Sequence, residues 1–325
     1  MEDLKTKLYQ MFIIGLDDNG KYKTLLNKGI GGIIFFTKDI KSADQFRNLI
    51  LEIKNESTIP PFLSIDQEGG RVERTENIHN GKKYLSAKFA CDKGNSFLEK
   101  QTIEIAQELK SYGINLNFAP CIDTNTNPNN PIIGERAFSS NPDTVIECEK
   151  IVSKIYRSTG IIPCAKHYPG HGDANADSHL TLPKIDLPLS EMENIHIKPF
   201  KAAIENGIEM IMAAHLHCTC FEKNAIPTSL SKNALSYLRK NLKFNGVIIS
   251  DDMVMKGVAD FGEVEAYIMG IKAGLNIFIY RYCDNKIIDI IEQIYNLAQK
   301  DEELAQNIKI SYNKIIELKK KYFIK

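Results

Sequence analysis

The chain has 325 residues, 43% of them hydrophobic and 25% charged, which is enough apolar material for one large core. Lysine plus arginine number 41 and aspartate plus glutamate number 41, so no net field favours nucleic acid or an anionic membrane, and small neutral substrates fit the balance best. No window approaches the roughly 18 apolar residues of a membrane span, and the start, MEDLKTKLYQMFIIGLDDNGKY, carries acidic residues unlike a secretory signal.

The seven cysteines are odd in number and mostly sit in apolar runs, which suits reduced thiols and a cytoplasmic protein better than a disulfide framework. No repeat, low-complexity tract or Pro/Ser-rich linker divides the chain, so residues 1–325 are expected to form one domain.

Apolar runs recur between amphipathic stretches. The first, MFIIGLD (11–17), ends on Asp17. The second, GGIIFFT (31–37), is followed by SADQFRNLILEIKN, in which Ser42 is an N-cap and Phe46, Leu49, Ile50 and Ile53 share one helical face. The third, PFLSID (61–66), ends on Asp66 and leads into QEGGRVERT, where Gly69 and Gly70 permit a sharp turn before Arg71 and Arg74. A carboxylate beside a guanidinium is a good clamp for sugar hydroxyls, a role that suits Arg74, whereas Arg71 and Glu73 read as a surface ion pair.

The fourth run, LNFAPCID (116–123), ends on Asp123, and the loop NNPIIGERAFSS after it supplies Arg136, with Glu135 solvated or bracing the loop. The fifth, IIPCAKH (161–167), ends on Lys166 and His167, and the sixth, IEMIMAAH (208–215), on His215. The seventh, GVIISDD (246–252), ends on two adjacent carboxylates. Neighbouring strand residues face opposite ways, so one carboxylate points into the mouth of the fold; Asp251 is the expected one, with Asp252 left to cap the next helix. The eighth, LNIFIY (275–280), precedes two amphipathic helices from about residue 284 to 321.

Short, isoleucine-rich, continuously apolar runs are the pattern of parallel strands buried on both faces. Eight of them alternating with helices predict an α/β fold, a (β/α)8 TIM barrel. An open doubly wound sheet is the competitor. The barrel is preferred because it gathers Asp17, Asp66, Asp123, Lys166 with His167, His215 and Asp251, which end six different runs, into one ring, where an open sheet scatters them.

The densest polar stretch is KHYPGHGDANADSHLTLP (166–183), a loop by its glycines and prolines, with His167, His171 and His179 and Asp173 and Asp177. Histidine and aspartate clusters are common metal ligands. The spacing here lacks HExxH regularity and no cysteine pair completes a tetrahedron, so no metal and no cofactor are expected. Asp177 and His179, at i and i+2 of an extended segment, point the same way, so the carboxylate can hold one imidazole nitrogen and leave the other for substrate as a general acid and base.

With KHYPGHGDANADSHLTLP, IISDDMVMKGV, SIDQEGGRVERT and IIGERAFSS in place, the chain resembles the β-N-acetylglucosaminidase branch of glycoside hydrolase family 3 from about residue 8 to 280. The resemblance implies a retaining glycosidase with Asp251 as nucleophile and His179 as acid/base partnered by Asp177. It places sugar binding on Asp66, Arg74, Arg136, Lys166 and His167, and a histidine near the pocket at His215. Many members carry a second α/β domain that this chain is too short to hold. The single-domain form is similar to bacterial enzymes of peptidoglycan recycling, which implies a muropeptide substrate releasing N-acetylglucosamine from 1,6-anhydro-N-acetylmuramic acid, with no nucleic-acid or membrane partner and a monomer sufficient. The segment VMK after Asp252 departs from the family's usual small or acidic residues. The N-acetyl group is expected against the wall near strands seven and one. Two rivals stand beside this reading: a phosphorylase using the same intermediate, and a non-catalytic sugar-binding barrel.

Overall fold

The computed structural model describes residues 2–79, 82–175 and 182–324. Among the described residues there are ten strands: β1 (Phe12–Ile14), β2 (Gly32–Phe35), β3 (Phe62–Ile65), β4 (Leu116–Asn117), β5 (Ile162–Tyr168), β6 (Lys184–Ile185), β7 (Met210–Ala213), β8 (His217–Cys218), β9 (Val247–Asp252) and β10 (Ile277–Tyr280). Eight of them close into a parallel barrel in the order β1-β10-β9-β7-β5-β4-β3-β2, the (β/α)8 architecture, and each lies within one of the eight apolar runs except β5, which extends one residue further to Tyr168. The remaining two, β6 and β8, form a small parallel pair beside the mouth that the apolar pattern does not signal, because strands of two residues carry no periodicity.

The helices follow from local chemistry. Ser42 Oγ accepts the Gln45 N–H at 3.3 Å and starts the helix Ala43–Glu56, which buries Phe46, Ile50 and Ile53 against the barrel. At the C-terminus Asp284 and Asp301 cap the helices Asn285–Ala298 and Glu302–Tyr322. The core is continuous: Phe12, Phe278 and Tyr267 meet with ring centroids 5.1–5.7 Å apart, and each fully buried large side chain contributes roughly 1.5–3 kcal/mol relative to exposure.

The bottom of the barrel is plugged by Lys319, which is 0% exposed. Its ammonium has three donors, and three acceptors meet them: Gln10 Oε1 at 2.8 Å and the Gly31 and Pro60 carbonyls at 2.9 Å each. No carboxylate is among these partners, and burial pushes the Lys319 amine well below its ordinary range. The catalytic possibilities therefore concentrate at the opposite end. Among the described residues no helix is long and apolar enough to cross a membrane.

Candidate active site

A cavity of about 590 Å³ opens over the C-terminal ends of the barrel strands, within the usual size of small-ligand sites. Asp66, Arg74, Arg136, Lys166, His167 and Asp251, the expected site residues that lie among the described ones, all border it. Asp177 and His179 lie outside the described residues.

The strand β5 delivers two of these groups side by side. Lys166 is buried, and its Nζ lies 2.7 Å from Asp66 Oδ1 and 2.5 Å from Glu68 Oε1. Glu68 in turn forks Arg136, with Nε to Oε2 at 2.9 Å and Nη2 to Oε1 at 2.8 Å. The result is a continuous ionic chain, Asp66–Lys166–Glu68–Arg136, along one wall. Burial alone would raise the Glu68 carboxyl, but Arg136 and Lys166 outweigh it and hold it well below the carboxylate range. Burial would likewise lower the Lys166 amine, yet Asp66 and Glu68 push it above its ordinary value. Glu68, Lys166 and Arg136 therefore stay charged across the neutral range.

His167 is fixed from both sides. Arg136 Nη2 is 3.2 Å from His167 Nε2, and an arginine can only donate, so Nε2 accepts and the ring hydrogen sits on Nδ1. That nitrogen donates to Asp123 Oδ2 at 2.7 Å. Asp123 also accepts the backbone N–H of His171 at 2.6 Å and that of His167 at 3.2 Å, and it receives the Cys121 thiol at 3.2 Å. Burial would raise this carboxyl, but His167 and His171 with these N–H groups hold it well below the usual range. Cys121, Asp123 and His167 come within ligand distance of one another for a metal ion. Asp123 is already saturated by these donors and burial keeps Cys121 a thiol, so the trio fits a hydrogen-bonded brace better than a ligand set.

The loop after β5 is bent where glycine is required. A Cβ on Gly172 would stand 1.8 Å from the Thr124 carbonyl oxygen, and Gly170 has φ +126°. This close approach seats His171 at the cavity edge with its ring 6.0 Å from that of His167. Burial depresses His171 to about 4, leaving it neutral.

The end of β9 sorts its two carboxylates. Asp251 Oδ1 accepts the Asp252 N–H at 2.7 Å, while its other oxygen accepts no hydrogen bond from a described residue and the side chain borders the cavity. Burial would raise Asp251, but His167, His215, the Asp252 N–H and Lys166 together hold it at about 2, so it is ionised. Asp252 borders the cavity too, which departs from the expectation that only one carboxylate reaches the mouth. It is not the N-cap of the following helix. Its Oδ2 pairs with Arg281 Nε and its Oδ1 accepts the N–H of Val254 at 3.1 Å and of Arg281 at 3.3 Å.

Three further expectations are corrected. Asp17 does not join the ring: its carboxylate turns back to accept the N–H groups of Asn19, Lys21 and Tyr22 at 3.0–3.1 Å, capping the helix Lys21–Asn27. The wall beyond Asp251 comes from Arg281 and Tyr282 after β10 and from Phe36, Thr37 and Lys38 after β2, and no β1 residue borders the cavity. Glu73 is buried rather than on the surface; it lies 2.9 Å from His79 Nδ1, whose Nε2 is 2.9 Å from Glu108, while Arg71 donates to the Pro131 and Ile132 carbonyls. His215 lies beneath the site, accepting from Ser229 Oγ at 2.7 Å and donating to the Asp252 carbonyl at 3.1 Å.

Arg74 is held by its backbone. Gln67 Oε1 accepts the Arg74 N–H at 2.8 Å, and Asn117 bonds both backbone groups of Gln67. The Arg74 guanidinium stacks 5.9 Å from the Phe36 ring centroid, and its buried Nε has no hydrogen-bond partner among the described residues. Glu68, Arg281, Gln67 and Asn117 were not singled out from the sequence. For Glu68 a signal existed: it stands two residues after Asp66.

A closed parallel barrel with an ionised aspartate and a row of braced cations at its C-terminal mouth defines a (β/α)8-barrel enzyme site. The chain belongs to glycosyl hydrolase family 3: the model of the family's N-terminal domain matches residues 3–318. It is 32% identical over 305 residues to beta-hexosaminidase A of Pseudoalteromonas piscicida, covering 86% of this chain and 50% of that protein. It is also 32% identical over 296 residues to a beta-hexosaminidase of Neisseria meningitidis serogroup B, covering 89% and 78%. Among solved structures, a family 3 β-N-acetylglucosaminidase from Paenibacillus superposes with a TM-score of 0.91 at 28% identity, covering 99% of this chain and 63% of that one. The chain thus spans about half of the Pseudoalteromonas relative and under two thirds of the Paenibacillus structure.

Proposed function

We propose that this chain is a retaining exo-β-N-acetylglucosaminidase that removes terminal N-acetylglucosamine from peptidoglycan fragments, including those ending in 1,6-anhydro-N-acetylmuramic acid. The observation that carries the reading is Asp251: a carboxylate held ionised at about 2, with one oxygen fixed by the Asp252 N–H and the other facing the cavity. Such a group attacks the anomeric carbon from one face while an acid protonates the leaving oxygen from the other. In this reading His179 is that acid, and later the base that activates water, with Asp177 orienting it. Those two assignments rest on the sequence motif.

Asp66, Lys166, Arg136 and His167 supply hydroxyl-binding groups whose positions are set by the ionic chain and by Asp123, and Arg74 brings a guanidinium with donors to spare. Preorganisation of this kind favours tight orientation of one sugar ring. The names of the Pseudoalteromonas, Neisseria and Paenibacillus relatives support the N-acetylhexosamine preference. Seven free cysteines support a cytoplasmic setting.

The test is hydrolysis of an aryl β-N-acetylglucosaminide against the matching β-glucoside, with and without phosphate, followed by mass spectrometry of products from purified muropeptides. Preference for the N-acetyl substrate, indifference to phosphate and release of N-acetylglucosamine are expected. Equal kcat/KM on both glycosides would overturn the sugar assignment, and a sugar phosphate product would replace hydrolysis by phosphorolysis.

A further inference from the structure

Cys91 lies in the helix Ala87–Asp92 and Cys148 in the helix Pro142–Thr159, and their sulfurs are 3.0 Å apart. Of the two, Cys148 is buried and Cys91 is half-buried, so an oxidant reaches Cys91 first. Burial and the Cys91 contact push the Cys148 thiol well above its ordinary range, which keeps it a protonated neighbour until Cys91 has reacted. A disulfide bond of about 2.05 Å needs only a further approach of about 1 Å. A cavity of about 30 Å³ lies alongside both helices, lined by Ala87 and Ala90 of the first, Val152 and Tyr156 of the second, and Leu98 and Gln101 of the helix Asn95–Tyr112. Its far wall is Glu68 and Arg136, so the helices that carry the thiols also back the ionic chain of the candidate site.

We propose that Cys91 and Cys148 form a reversible disulfide, a redox-labile staple between these two helices. Its reaction is exchange with a low-molecular-weight disulfide. The Cys91 thiolate attacks one sulfur of the reagent and releases one thiol, giving a mixed disulfide; Cys148 then loses its proton, attacks the Cys91 sulfur and releases the second thiol. Two protein thiols are oxidised and one reagent disulfide is reduced to two thiols. The staple closes a segment that contains β4, Asp123 and Arg136, and cross-linking so long a loop stabilises the fold by restricting the unfolded chain. The inference stands apart from the glycosidase reading, because neither thiol borders the large cavity.

The experiment treats the whole folded chain with oxidised glutathione, blocks remaining thiols with iodoacetamide and maps peptides by mass spectrometry, alongside Cys91→Ser and Cys148→Ser. The expected result is loss of two hydrogens, one cross-linked peptide pair containing Cys91 and Cys148, reversal by dithiothreitol, and a thermal midpoint raised by roughly 5 °C in the oxidised wild type only. Cys148→Ser should hold a stable glutathione adduct on Cys91. The proposal is overturned if wild-type Cys91 also stops at the glutathione adduct, if both thiols stay fully alkylated, or if the bond joins another pair such as Cys218 and Cys220. Reduced variants whose thermal midpoints match the reduced wild type establish that the substitutions leave the fold intact, and a cross-link absent from both then supports the proposal.

Discussion

Glu68 and Arg136 meet as a two-pronged pair beneath the wall of the large cavity, 68 residues apart in sequence and with both contacts at 2.8–2.9 Å. The same carboxylate also holds Lys166 at 2.5 Å, so one buried anion positions two cations that border the cavity. Removing it leaves both cations without their shared partner, and breaking a buried pair in this way costs roughly 3–5 kcal/mol.

Glu68→Gln is therefore expected to lower stability by an amount of that order and to raise KM more than it lowers kcat, because binding groups lose their alignment while Asp251 keeps its place. Denaturant unfolding and steady-state kinetics on an aryl β-N-acetylglucosaminide check it. An unchanged KM in a folded variant would remove the ionic chain from substrate binding.

Asp251→Ala should abolish turnover while leaving the fold intact, since a carboxylate at a strand end in the mouth contributes little to the core. A 2-deoxy-2-fluoro or 5-fluoro glycoside should label Asp251 in the native enzyme, read by peptide mass spectrometry. Label on Asp252 would move the nucleophile, although its bond to Arg281 argues against that. Because Asp251 is held at about 2, lowering the pH from 7 to about 4 should not reduce kcat/KM through this group.

For His179 the outcome depends on the leaving group. His179→Ala should cost roughly 10²–10⁴-fold on a substrate whose leaving oxygen needs a proton. With an activated aryl glycoside the first step should be nearly spared, producing a burst of phenol followed by a slow phase that azide relieves, yielding glycosyl azide with retained configuration. Equal impairment on good and poor leaving groups, with no burst and no azide response, would end the acid/base assignment.

His79 links stability to pH. Burial would lower its pKa, but Glu108 and Glu73 outweigh burial and raise it from 6.5 to about 9. The folded state thus binds its proton more tightly than the unfolded chain, so the stabilisation is complete below pH 6.5 and is lost as pH rises through about 9. The thermal midpoint of the wild type should fall more steeply over that interval than that of His79→Gln. Parallel curves would show that the two carboxylates do not hold a proton there.

Chelators should leave activity intact, because Asp123 is occupied by the His167 ring, Cys121 and backbone N–H groups. Loss of activity with EDTA and its rescue by zinc would instead make Cys121, Asp123 and His167 a metal site.

The order of strands and the positions of the polar groups at their ends were legible in the sequence because both are local properties. A run such as GVIISDD is apolar enough to be buried on both faces and stops at the carboxylates that cannot follow it inside, and after the run GGIIFFT Ser42 caps the next helix by reaching three residues ahead. Asp66, Lys166, His167 and Asp251 were legible as strand-end polar groups, while Arg74 and Arg136 came from loops and from the family resemblance; the barrel brings all six to one cavity. What each carboxylate holds is decided by neighbours distant in the chain, and no local pattern carries that. Asp252 is taken by Arg281 across 29 residues, and Glu73 is buried together with Glu108 around His79. Glu68 has the same composition cue as any surface glutamate and becomes the centre of the ionic chain only because barrel closure carries β3 and β5 close enough for Lys166 and Arg136 to reach it. A charge can be buried only where its partners arrive with it, and those arrivals are a property of the tertiary fold.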